Sequence, residues 1–162
     1  MQNQIIENAT AKDAEEILAL YRVQLGREFC PWNEDYPTME EINFDLDRDS
    51  LFIMRDQGKV VAAISIDDDP VVNELEYWTK ELQPGGELSR LAVAPEYQGK
   101  GVAKDMINHG LKQLKARGFK SLHFLVNSQN LKARKCYAAY DFNKVGECEL
   151  YDQPMLCYEM EL

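Results

Sequence analysis

The segment Pro95-Glu96-Tyr97-Gln98-Gly99-Lys100-Gly101-Val102-Ala103 carries the clearest chemical signal in the chain. Two glycines flank a lysine, and no side chain larger than valine follows until Lys104. Glycine permits φ > 0 and leaves the backbone N–H groups open to close approach. An apolar stretch, residues 88–93, precedes this turn and an amphipathic helix follows it. A strand, a glycine turn and a helix start together present N–H donors at the positive end of a helix dipole, which suits an anion and phosphate above all. Spacing narrows the ligand. The dinucleotide fingerprint requires a third glycine where Lys104 stands, and the nucleoside-triphosphate loop requires Ser or Thr after Gly-Lys and a glycine where Pro95 stands. The alternative is a glycine-capped tight turn that holds nothing.

The elements that must position this turn are legible along the chain. Residues 4–8 form a strand candidate. Thr10 with Asp13, and Thr38 with Glu41, have capping-box spacing. The first pair opens a helix carrying Ile17, Leu18, Leu20, Tyr21 and Leu25 that stops near Gly26; the second opens a short helix to about Leu46. Residues 29–37, rich in aromatics, prolines and acids, read as a loop. Strands follow at 51–55 and 60–66 around the turn Asp56-Gln57-Gly58-Lys59. Asp67-Asp68-Asp69-Pro70 breaks the second of them, and residues 71–86 carry no clear period. A buried strand at 87–94, a helix at 100–117 stopped by Gly118, a strand at 121–126, a helix at 131–140 and a strand pair at 143–150 and 154–161 complete the order β-α-α-β-β-β-α-β-α-β-β. One strand–helix–strand crossover in an otherwise antiparallel scheme implies a mixed sheet covered by helices, hence a mixed α/β (α+β) fold. The 162 residues suit a single domain, 1–162.

Gln98-Gly99-Lys100-Gly101-Val102-Ala103 matches the Gln/Arg-x-x-Gly-x-Gly/Ala signature of the GNAT acetyltransferase superfamily. Downstream, Asn130, Ala133, Tyr137 and Phe142 have that family's Asn-x-x-Ala-x-x-x-Tyr-x-x-x-x-Phe spacing. The chain resembles the family from about Glu87 to Phe142 and departs from it at Asp141, where glycine is usual. Asp tolerates the left-handed conformation of a helix stop better than most residues. The resemblance implies a GNAT-like, mostly antiparallel seven-stranded sheet whose one parallel strand pair splays apart to admit acetyl-coenzyme A.

It also implies roles. The diphosphate of acetyl-coenzyme A would sit on the amides of Gly99, Lys100, Gly101, Val102, Ala103 and Lys104, and the pantetheine arm would pair with the main chain of Leu91 and Val93. Gln98 and Lys104 would touch phosphate with their side chains, or else be a solvated turn residue and a surface charge. Asn130 would contact the pantetheine arm, a role compatible with capping a helix. Tyr137 would direct its hydroxyl at the thioester sulfur and protonate the departing thiolate; the alternatives make it core, or give the task to Tyr140. An alkylamine is mostly ammonium at neutral pH and must lose a proton before it attacks. Glu87, which strict alternation would place on the same side as Leu91 and Val93, can relay that proton through water, or is an exposed strand-end charge; Asp67, Glu74 and Glu76 are weaker candidates. Trp32, Tyr36, Tyr77 and Trp78 are candidate acceptor-pocket walls, with core packing the safer default. The reading is an N-acetyltransferase passing an acetyl group directly to a primary amine of a small molecule or peptide. The alternatives are a non-catalytic acyl-coenzyme A sensor and transfer of a larger acyl group. Cys136, beside Tyr137 with no histidine near it in sequence, is not expected to act as a nucleophile.

Charge fits that reading. The net charge of −10 argues against a nucleic-acid partner. Residues 1–86 carry 19 acidic and 7 basic side chains, and residues 87–162 carry 9 and 11. An acidic half would attract a cationic amine and a mildly basic half a polyphosphate, although an acidic surface also simply keeps a protein soluble. No apolar run approaches membrane-spanning length, and residues 1–7 lack a signal peptide's basic start and apolar region. Cys30, Cys136, Cys148 and Cys157 form no Cys-x-x-Cys pair, so neither a metal site nor a disulfide framework is expected, and a reducing cytoplasm is the simplest location. A homodimer is compatible with the sequence, which does not fix the number of chains.

Overall fold

The computed structural model describes residues 4–28, 30 and 32–162; Phe29 and Pro31, part of the expected loop, lie outside the described residues. Along the chain run β1 (Gln4–Asn8), α1 (Ala14–Arg22), α2 (Met39–Asp47), β2 (Leu51–Asp56), β3 (Lys59–Asp67), α3 (Pro70–Asn73), β4 (Gly85–Val93), α4 (Val102–Ala116), β5 (Ser121–Asn127), α5 (Leu131–Tyr137), β6 (Asn143–Leu150) and β7 (Gln153–Glu161). Short 3-10 turns occupy Ala11–Asp13, Lys80–Leu82 and Pro95–Tyr97. Among the described residues the strands number seven, antiparallel except for the β4–β5 pair, so the mixed α/β class expected from the sequence is the one observed. The chain divides into two compact units, Met1–Asp67 with Ser89–Gly110 and Asp68–Leu88 with Leu111–Leu162.

In the first unit β2 pairs with β1 on one side and β3 on the other. Its core is Ile17, Leu20 and Tyr21 of α1, Ile42 of α2, and Leu51, Ile53, Ala63 and Ala92 of the strands, with Trp32 packed against it. The caps hold as their spacing predicts. Thr38 N–H donates to Glu41 Oε2 at 2.7 Å, and Thr10 N–H donates to Asp13 Oδ2 at 2.9 Å. Helix α1 ends at Arg22, short of Gly26, because the chain turns back in tight steps: Gln24 N–H donates to Tyr21 O and Arg27 N–H to Gln24 O.

A buried ion cluster also holds this unit. Arg90, in mid-strand, has the left-handed φ of +48° that side chains with a Cβ rarely adopt. Its guanidinium grips Asp45 through Nη2 at 2.8 and 3.0 Å and through Nε at 3.1 Å, while Nη1 reaches Tyr36 Oη at 3.0 Å and Asp67 Oδ2 at 3.2 Å. Arg48 Nη2 at 2.6 Å and Ser65 Oγ at 2.7 Å complete the Asp45 carboxylate. Burial by itself lowers the Arg90 pKa, but the two carboxylates outweigh it and push the pKa upward.

In the second unit β5 pairs with the start of β4 in parallel and with β7 antiparallel, and β7 pairs with β6. Residues 71–86, unreadable from periodicity, contain α3 and a 3-10 turn that pack their own side chains on the sheet: Val72 and Trp78 form a core with Cys157. Trp78 stacks on His123 with ring centroids 4.5 Å apart and donates from Nε1 to Val72 O at 2.7 Å. His123 Nε2 lies 2.9 Å from Asn73 Oδ1.

Burial lowers the His123 pKa to about 4, against the opposing pull of Glu159. The folded state therefore binds this proton less tightly than the unfolded chain, so the stability it contributes is complete above about pH 6.5 and drains as pH falls toward 4. Urea denaturation between pH 4.5 and 7 should show stability falling with acidification, and His123→Gln should flatten that slope. An unchanged slope in the variant would remove His123 as its source.

Candidate functional site

In the first unit the chain leaves β4 at Val93, makes the 3-10 turn Pro95–Tyr97 and enters α4 at Val102. Gly99 and Gly101, both exposed, have φ of +73° and +83°, and a Cβ placed on either would find nothing within 4 Å. The space over the turn is open, and Asp105 N–H donates to Gly101 O at 3.1 Å. The N–H groups of the opening turn, Val102 and Ala103 among them, have no acceptor inside the helix and point out of its end. Val102 buries its side chain and can offer a ligand only its backbone, while Lys104 is exposed. Lys100 Nζ lies 5.6 Å over the Tyr97 ring, whose hydroxyl donates to Asp56 Oδ2 at 2.5 Å.

The Gln98 side chain is engaged within the protein. Its Nε2 donates to Val93 O at 3.2 Å and its Oε1 accepts from Arg27, so it braces the turn from within. Val93 O also accepts from Gln24 Nε2 at 3.1 Å. This carbonyl is thus taken by two side-chain amides. Leu91 is half-buried. Strict alternation does not relate Glu87 to Leu91 and Val93, because the left-handed Arg90 interrupts the pleat between them.

In the second unit Glu87 is 8% exposed, a buried group and no strand-end charge. It stands opposite His123 in the parallel register, and His123 stands opposite Glu159 across β5 and β7. Neighbouring residues in register share a sheet face, so these three form one polar row. The Glu159 carboxylate is claimed by Thr79, from N–H at 2.8 Å and Oγ1 at 2.5 Å. Asn130 caps α5, its Oδ1 accepting from Ala133 N–H at 3.0 Å. Tyr137 is the last residue of α5, its ring 4.6 Å from Phe124 and 5.7 Å from Phe142. Burial raises its phenol pKa to about 12, so it stays protonated through the physiological range. Tyr140 lies beyond the helix, 5.2 Å from Phe142. The helix stops at Tyr137 with Ala138 right-handed, and Asp141 is not among the residues with positive φ, so its departure from glycine carries no strain.

Trp32 lies 5.3 Å edge-on to Tyr21, and Trp78 belongs to the second core; Tyr77 donates from its hydroxyl to Glu147 O at 3.0 Å. These aromatics serve packing, while Tyr36 is held by Arg90. Asp67 is paired with Arg90, and Glu74 and Glu76 are exposed. Spacing did not flag Arg90, Asp45, Gln24 or Arg27. Arg90 left one trace, a charge inside a stretch read as buried, which is tolerable only when paired.

A family model described as the acetyltransferase (GNAT) family matches residues 15–142. The chain belongs to the GNAT acetyltransferase family. A stretch of 58 residues is 38% identical to the [ribosomal protein bS18]-alanine N-acetyltransferase of Haemophilus ducreyi, a match spanning 36% of this chain and 40% of that protein. Among solved structures, the ribosomal-protein-alanine N-acetyltransferase from Brucella melitensis superposes with a TM-score of 0.77 at 19% identity, covering 98% of this chain and 99% of that one. A GNAT acetyltransferase from Streptococcus pneumoniae gives 0.75 at 22% identity over 98% and 99%. The PaiA N-acetyltransferase from Thermoplasma acidophilum, in complex with coenzyme A, gives 0.72 at 16% identity over 98% and 99%. These likenesses at low identity establish the GNAT fold.

The open positive-φ glycines fit a diphosphate that must approach the backbone closely. Gly101→Val should weaken acetyl-coenzyme A binding by at least tenfold, because a β-branched residue is strained at φ of +83° and fills the space over the turn. Calorimetric titration checks this, with the circular-dichroism melt confirming a folded variant. Unchanged affinity would exclude the turn from the binding surface.

Proposed function

We propose that this GNAT protein transfers an acetyl group from acetyl-coenzyme A directly to a primary amine of a small molecule or peptide. The observation that carries the reading is the glycine turn ahead of α4, exposed and clear of side chains at both positive-φ glycines. Its main-chain donors from Gly99 to Lys104 would hold the diphosphate. Leu91 and the N–H of Val93 would meet the pantetheine arm, and Asn130 would meet it while capping α5.

The chemistry asks two things of side chains. An ammonium acceptor must first give up a proton, which Glu87 takes through a water and passes to solvent. The freed amine then attacks the thioester carbonyl carbon, and the carbon–sulfur bond breaks with its electron pair going to sulfur. The Tyr137 phenol supplies that sulfur with a proton and recovers one from the nitrogen, leaving an amide, a thiol and one proton in solution. A phenol with its pKa raised to about 12 keeps its proton through the physiological range, and because it is a weaker acid than a thiol it releases that proton to the sulfur only as it regains one from the nitrogen.

The relative from Haemophilus ducreyi, named for an alanine of a ribosomal protein, favours a peptide N-terminal amine as acceptor here too. The four free cysteines suit a reducing cytoplasm. Incubating the protein with acetyl-coenzyme A and a panel of N-terminal peptides, polyamines and amino sugars, with free-thiol release as the signal, tests the reading. Thiol release dependent on one acceptor class supports it. Tight acetyl-coenzyme A binding with no release across the panel favours the sensor instead.

A further inference from the structure

In the first unit a closed ring of hydrogen bonds meets at the carbonyl of Val93. Gln24 Nε2 donates to that oxygen at 3.1 Å and Gln98 Nε2 at 3.2 Å, which uses both its lone pairs. The other ends of these two amides face one cation. Arg27 donates from Nη1 to Gln24 Oε1 at 2.9 Å and from Nη2 to Gln98 Oε1. Gln24, 8% exposed, is fixed further by donating to Leu20 O at 3.2 Å. The orientation is forced. Flipping either amide would set a carbonyl against Val93 O and an NH2 against the guanidinium, so the ring closes in one arrangement only.

We propose that Arg27 is a positioning residue for the acyl donor: it locks Gln98 onto Val93 and thereby sets the direction in which the glycine turn leaves β4. This rests on the reading that the turn holds the diphosphate of coenzyme A. Amides 99–104 can converge on one anion only if the chain enters the turn at a fixed angle, and Gln98 is the residue at that entrance. Without Arg27 the Gln98 carboxamide loses its charged partner and turns freely. The ligand must then order the turn as it binds, and that cost falls on affinity and not on the chemical step. Arg27 leaves α1 by the loop that follows it, so a residue far from the signature in sequence governs the signature's geometry.

The test compares Arg27→Ala, Gln98→Ala, the double variant, Arg27→Lys and the control Arg22→Ala, which removes an equal charge from an exposed site on α1. Calorimetry with coenzyme A measures Kd, and steady-state kinetics measures KM and kcat. Arg27→Ala should raise Kd and the KM for acetyl-coenzyme A about tenfold, with kcat at saturation kept. Arg27→Lys should recover part of the loss. The double variant should be no weaker than the poorer single one, since either change opens the ring. Arg22→Ala should bind as the unaltered protein does. A wild-type Kd in Arg27→Ala overturns the proposal, as do additive losses in the double variant, which would mean two independent ligand contacts. An equal loss in Arg22→Ala overturns it in favour of long-range charge. Failure of the unaltered protein to bind coenzyme A would instead defeat the reading of the turn itself, and this proposal with it.

Discussion

Tyr137→Phe is expected to lower kcat about a hundredfold while the Kd for coenzyme A stays within about twofold, the span typical of losing a positioned general acid. The substitution removes one oxygen and keeps the ring that packs 4.6 Å from Phe124 and 5.7 Å from Phe142, so the aromatic cluster of the second unit survives. A phenol pKa of about 12 means that the acid form persists to high pH, and kcat should show no alkaline fall attributable to Tyr137 below about pH 11. Measuring kcat and Kd on the same preparation separates the roles. Turnover equal to the unaltered protein would take Tyr137 out of the mechanism and turn attention to Tyr140, which borders the same Phe142.

Asp45→Ala is expected to destabilise the protein by about 3–5 kcal/mol, the largest stability effect foreseen for one substitution, because it strands buried positive charge. Asp45 is fully buried and answers Arg90, Arg48 and Ser65 at once. Removing it leaves Arg90 with Asp67 at 3.2 Å as its carboxylate partner among the described residues. Arg90 is also the left-handed residue of β4, so the same contacts hold a backbone conformation that costs about 1–2 kcal/mol on its own. Asp45→Asn keeps the volume and one acceptor oxygen and should cost less. Urea midpoints for both variants decide the matter. A loss below about 1 kcal/mol for Asp45→Ala would mean that the cluster contributes packing and little electrostatic stability.

What the sequence disclosed divides along physical lines. The capping boxes at Thr10 and Thr38, the turn at Gly58 and the strands on either side of it depend on neighbours a few residues apart, and short-range pattern reveals those. The glycine turn was legible for the same reason: its function resides in the backbone, and glycine spacing advertises backbone exposure. Tertiary pairing is another matter. Gln98 looked like a phosphate contact or a solvated residue, yet its partners are Val93 and an arginine 71 positions away. The left-handed Arg90 was hidden because such a residue in a strand is normally signalled by glycine or asparagine, and here it is a buried arginine paired with Asp45 of α2. Residues 71–86 had no period because Val72, on a single helical turn, and Trp78, on irregular backbone, bury themselves against β5 and β7 as isolated side chains. Tyr77 lies against Gly146, where a Cβ would come within 2.3 Å of its ring, a contact that composition cannot disclose.

A crystal structure of the complex with coenzyme A tests the central claim most directly. The diphosphate oxygens should lie about 2.9 Å from main-chain nitrogens between Gly99 and Lys104, with Gln98 still turned inward to Val93. Coenzyme A bound elsewhere on the chain, with these nitrogens facing solvent, would contradict it.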